Sequence, residues 1–166
     1  SQAFSEDDAA WASEHKLLQE LFTKEEYLAA RATVTDAFYT DQGIAKGIWE
    51  TLKRFGFSQG NLLEPSLGIG NFFSVMDADP MIHRYGVEID PVSARIAKQL
   101  YQMAEITQAG LENTRYENNF FDGVIGNVPF GDCQVADAHY DHFHLKIHEY
   151  FLIKSVDLMR AGGIAI

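Results

Sequence analysis

The residues predict an α/β fold, a three-layer sandwich on a mainly parallel sheet, preceded by a helical N-terminal extension. Two observations carry this. From Asn61 onward, short apolar runs alternate with stretches at helical spacing, the pattern of parallel strands joined by crossover helices. Before Asn61, the apolar residues recur only at helical intervals. Size agrees: 166 residues, 46% of them hydrophobic, can bury one core in one domain.

Ser5 with Asp8, and Thr23 with Glu26, have the spacing at which a hydroxyl and a carboxylate satisfy the free amides of a helix start. The first such helix carries Trp11, Leu17, Leu18 and Leu21, and the second Tyr27, Ala30 and Val34. A third runs from Asp41 to Phe55 and stops at Gly56. Strands follow at 61–63, 85–88, 105–107 and 123–126, with a last one opening at Gly163, and helices at 72–76, 91–101 and 146–159. Proline is tolerated in a first helical turn, so Asp90-Pro91 reads as a strand-to-helix junction. Residues 1–37 are thus the helical extension and 38–166 the core. Ala165 and Ile166 fall in a strand just begun, so the core is expected to be truncated at its C-terminus, with strands beyond the fifth missing.

Composition narrows the function. Cys133 is the lone cysteine, no signal core opens the chain, and no run approaches the ~18 apolar residues of a membrane span; a cytoplasmic setting without a membrane partner is expected. The 24 acidic residues against 13 basic ones leave a formal charge of −11, which repels a polyanion. A nucleic-acid substrate would therefore need phosphate contacts from parts of a longer protein.

The run Leu62-Leu63-Glu64-Pro65-Ser66-Leu67-Gly68-Ile69-Gly70-Asn71 is a strand, a glycine turn and a helix start. Gly68 and Gly70 allow a ligand to lie against bare backbone, with amide N–H groups free to bind it. A dinucleotide site favours a third glycine where Phe73 stands, which weighs against NAD or FAD. The next strand ends in Gly86-Val87-Glu88-Ile89-Asp90, placing Glu88 to accept both hydroxyls of a ribose with Ile89 beside it. Glu64 faces the same pocket and could hold the amino group of a methionine moiety. A plain tight turn with a solvated strand end is the alternative.

Asn127-Val128-Pro129-Phe130 follows the fourth strand. An adenine N6 amine is a weak nucleophile because its lone pair is drawn into the ring. The Asn127 side-chain oxygen and the Val128 carbonyl can each accept one of its N–H bonds, localising the lone pair and stabilising the positive charge that develops. Pro129 stiffens the turn, and Phe130 offers a flat face to a base rotated out of its helix. An ordinary asparagine turn over a buried aromatic is the alternative.

Together, Phe38-Tyr39-Thr40, Glu64-Pro65-Ser66-Leu67-Gly68-Ile69-Gly70, Glu88 and Asn127-Val128-Pro129-Phe130 resemble the amino-group DNA methyltransferases. More narrowly, Gly126 to Asp132 and Ile147-His148-Glu149-Tyr150-Phe151 resemble the large methylase-helicase proteins of conjugative and other mobile elements, over roughly residues 36 to 166. The resemblance implies the Rossmann-like class I fold, S-adenosyl-L-methionine as cofactor, and methyl transfer to N6 of adenine in DNA. It implies that Tyr39 and Thr40 line the methionine end of the pocket and that Glu112 lies near the cofactor's adenine amine. The sequence departs from the family pattern at Val128, where proline is usual, and at Leu67, where a small or polar residue such as cysteine is usual.

Rival readings are a cofactor-binding module without turnover, a methyltransferase for a protein glutamine amide or an RNA base amine, and, third, a dinucleotide oxidoreductase. His139, His142, His144 and His148 lie close together but lack the spacing of a tetrahedral zinc set, so no metal is expected. Asp137 and Asp141 belong to a loop that could act as a flap over the substrate. Tyr150, Phe151 and Leu158 read as core.

Overall fold

The computed structural model describes residues 4, 9–36 and 40–166, excepting the side chains of 32–36. Helices α1 (Ala12–Leu21), α2 (Lys24–Asp36) and α3 (Gln42–Arg54) precede strand β1 (Gly60–Glu64). There follow α4 (Asn71–Ser74), β2 (Ile82–Glu88), α5 (Pro91–Leu100), β3 (Glu105–Gln108), β4 (Phe121–Val124), α6 (Ile147–Leu158) and β5 (Met159–Ala165). Side-chain caps explain several of these starts. Thr23 and Glu26 exchange reciprocal bonds, the Thr23 N–H donating to Glu26 Oε2 and the Glu26 N–H to Thr23 Oγ1. The Asp41 carboxylate accepts from the Gly43 and Ile44 amides, and Asp90 from Ser93.

All five strands are parallel, in the order β3-β2-β1-β4-β5. Side chains alternate across a strand, so Leu62 faces one layer and Leu63 the other. On one side Ala45, Trp49 and Leu52 of α3 join Phe72 and Phe73 of α4 and Ala97 of α5 over Leu62, Ile106 and Ile125. On the other side Tyr150, Phe151 and Leu158 of α6 cover Leu63, Val87, Phe121 and Val124, so those α6 aromatics are core as expected. Each large side chain buried in this way contributes on the order of 1.5–3 kcal/mol.

Three expectations need correction. The Trp11–Leu21 stripe does not enter the core: Trp11 precedes α1 in a 3-10 turn, and no α1 residue is buried. Strand β4 starts and ends two residues earlier than predicted, because Phe121 is the side chain that fills the core beneath α6. Strand β5 begins at Met159, directly on the end of α6, since exposed Arg160 to Gly162 give no apolar signal although their backbone already extends. The cap at Ser5–Asp8, the Val34 side chain, Phe38 and Tyr39 lie outside the described residues. No helix among the described residues is long and apolar enough to cross a membrane.

Candidate functional site

In an open parallel sheet, the crevice lies beyond the carboxyl ends of the strands where the winding direction reverses. Here that point falls between β1 and β4, the strands that carry the glycine loop and the Asn127 turn. The two loops touch: the Ser66 hydroxyl donates to the Asn127 carbonyl at 2.9 Å. Asn127 itself is on the surface rather than in the core.

The glycine loop is held from both sides. Gly68 and Gly70 both have positive φ, 57° and 87°. A Cβ at Gly70 would collide with the Tyr101 ring, whose hydroxyl donates to the Gly70 carbonyl at 2.8 Å. Leu67 is buried against Gly86, where a Cβ would meet it; the bulk of Leu67 is accommodated by a glycine on the neighbouring strand. Asn71, opening α4, donates from Nδ2 to the Thr40 carbonyl at 2.9 Å, which brings Thr40 to the loop.

Glu88, at the tip of β2, accepts from the Gly68 amide at 2.6 Å and from the Asp90 amide at 2.7 Å. Each of these oxygens keeps a lone pair for a further donor such as a ribose hydroxyl. Burial pushes the Glu88 carboxyl up, and the amides of Asp90 and Gly68 offset part of that. Neighbouring Ile89 is 70% exposed and could cover a flat ligand from the solvent side. Glu112 sits on the turn after β3, half-buried, holding Asn113 through a 2.8 Å bond.

Glu64 is the unusual group. It is 2% exposed, and its Oε2 finds no hydrogen-bond partner among the described residues. Burial, then the proximity of Glu88, raises its carboxyl well above the usual range. A buried acceptor without a donor costs on the order of 1–3 kcal/mol and calls for an explanation. An ammonium group seated between Glu64 and the glycine loop would satisfy it, and a diol would suit Glu88. These two acceptors therefore fit a nucleoside that carries an amino group.

On the β4 side, Val128 and Pro129 are half-buried, with Val128 packed against the α6 cluster. Phe130 is 73% exposed, its ring 6.1 Å from that of His148 and tilted by 33°. The sequence marks none of His148, Tyr101 and Asn71 as a site residue, although His148 stands both in the Ile147–Phe151 motif and in the histidine group. No group of residues suited to a metal occurs among the described ones.

The candidate flap is pinned to α6. Asp137 Oδ2 accepts from the Tyr150 hydroxyl at 2.8 Å and from Lys154 Nζ at 2.9 Å, and Tyr140 donates to Asp157 at 2.8 Å. No pattern in the sequence marks this latch, because its partners lie 13 and 17 residues apart on a loop and a helix.

Against known structures, the chain superposes on a candidate S-adenosyl-L-methionine-dependent methyltransferase from Methanococcus maripaludis with a TM-score of 0.54 at 14% identity, covering 72% of this chain and 53% of that one. Geranyl diphosphate C-methyltransferase from Streptomyces coelicolor A3(2), solved with S-adenosyl-L-homocysteine, gives 0.54 at 11% identity over 73% and 42%. The fold is the Rossmann-like class I methyltransferase fold. A Pyrococcus horikoshii OT3 protein gives 0.52 at 19% over 75% and 58%. In sequence, the chain is 33% identical over 131 residues to Defense against restriction protein B of Escherichia phage P1. That match takes in 76% of this chain and spans only 6% of the phage protein's length. No protein-family model matches.

Proposed function

We propose that this chain is the catalytic core of an S-adenosyl-L-methionine-dependent methyltransferase that methylates N6 of adenine in DNA. The observation that carries this reading is the bond from Ser66 to Asn127, which joins a nucleoside-type loop to an amine-holding turn across the β1–β4 switch point. The phage relative supports a nucleic-acid context, since its name refers to defence against restriction.

On this reading Glu88 takes the ribose hydroxyls, Glu64 the amino group, and the Gly68–Gly70 backbone lies along the ligand, with Pro65, Ser66, Ile89 and Glu112 around it. Tyr39 and Thr40 close the methionine end. The cofactor supplies an electrophilic methyl group on sulfonium. The chain's own part is positioning: Asn127 Oδ1 and the Val128 carbonyl accept the two amine N–H bonds, aiming the lone pair and stabilising charge as it develops on nitrogen. Phe130 stacks on the extruded base while Pro129 holds the carbonyl before it in place. With a net charge of −11, phosphate contacts come from outside this chain.

The test is methyl transfer from tritiated S-adenosyl-L-methionine into DNA, RNA and protein offered separately to the full-length protein. Label is expected in DNA as N6-methyladenine, and Asn127→Ala should lower it at least about 100-fold with cofactor affinity unchanged. Label confined to RNA or to a protein amide, or full transfer by the variant, would refute the assignment.

A further inference from the structure

Glu64 is buried at its own strand tip, with Gly126 beyond β4 against its side chain, and Glu88 at the tip of β2 and Tyr101 after α5 lie near enough to feel its charge. None of these supplies a positive charge. Glu88 is another acid, the Tyr101 hydroxyl is committed to the Gly70 carbonyl, and Arg84, the cation that acts on Tyr101, forms no ion pair with Glu64. An ionised carboxylate in that enclosure would be desolvated, unpaired and beside a second carboxylate.

We propose that Glu64 stands as a neutral acid in the ligand-free protein and releases its proton when an ammonium group binds beside it, making the site selective for nucleoside ligands with a free α-amino group. This rests on the cofactor reading above. The Glu64 O–H bond breaks, the proton passes to water, the electron pair stays on the carboxylate, and that carboxylate accepts an N–H of the ammonium. A neutral acid and a cation thereby become an ion pair and one free proton. A ligand without the amino group gives Glu64 no reason to ionise. Burial that is costly for a lone charge is tolerated once the charge is paired and hydrogen-bonded.

Titration calorimetry of the chain at pH 7 in two buffers of different ionisation enthalpy counts the protons. S-adenosyl-L-homocysteine should release about one proton on binding. 5′-Methylthioadenosine, which lacks the amino-acid portion, should release about none, and Glu64→Gln should bind S-adenosyl-L-homocysteine about tenfold or more weakly, also without release. Binding of S-adenosyl-L-homocysteine without proton release, or equal release by Glu64→Gln, overturns the proposal while leaving the cofactor reading intact. No binding of either nucleoside overturns the cofactor reading and this inference with it.

Discussion

Glu64 and Glu88 end neighbouring strands with the same side chain and opposite circumstances. Glu88 is half-buried and answered by two backbone amides; Glu64 is sealed in with an unanswered oxygen. The difference has a consequence for stability. A carboxyl whose folded-state pKa is raised costs nothing while protonated in both states, below its unfolded value of about 4.3. As pH rises past that value the unfolded chain gives up the proton and the folded one keeps it, so stability is lost until the folded pKa is passed. Glu64→Gln should therefore be more stable than the wild type at neutral pH, with the gap closing below about pH 4. Urea midpoints across pH read this directly, and a gap independent of pH would contradict it. The place of Glu88 at its strand tip is legible because a carboxylate closing the strand after a glycine turn is a local pattern. The isolation of Glu64 is not, since it depends on Gly126 and Glu88, brought beside it by the strand order.

At the level of elements, α6 does two jobs. One face buries Tyr150, Phe151 and Leu158 against the sheet, and the Lys154 side chain, 11% exposed, reaches back to clamp the loop carrying Asp137. Burial works against the Asp137 charge, but Lys154 and Tyr150 outweigh it and hold its carboxyl below the usual range. Its contribution is then complete above about pH 4 and is lost as pH falls through the lower folded-state value. Asp137→Ala should cost about 3–5 kcal/mol by stranding Lys154, whereas Asp137→Leu with Lys154→Met should recover most of it. Chemical denaturation of Asp137→Ala, of Asp137→Leu and Lys154→Met singly, and of the double variant checks this; additivity of the two single changes would show that the pair is uncoupled. Helix α3 and the Asp90-Pro91 junction were readable in the sequence because caps and helical spacing are local. The latch was hidden, and α1 misled, because a helical stripe marks an apolar face without naming what covers it.

Across the whole molecule, the strand order brings two separate motifs into contact. All five strands are parallel, so both loops emerge at the same edge, but they are neighbours only because β4 returns to pair with β1 rather than adding beside β3. The alternation of strands and helices predicts the sheet, and each motif places its loop at the end of a strand, but the contact between Ser66 and Asn127 belongs to the folded chain alone. The most direct test is a crystal structure of the chain with S-adenosyl-L-homocysteine. The account predicts the ribose on Glu88, the amino group on Glu64, and the sulfur turned toward Asn127. A ligand bound elsewhere, or one lying across β2 and β3 with its sulfur away from Asn127, would contradict it.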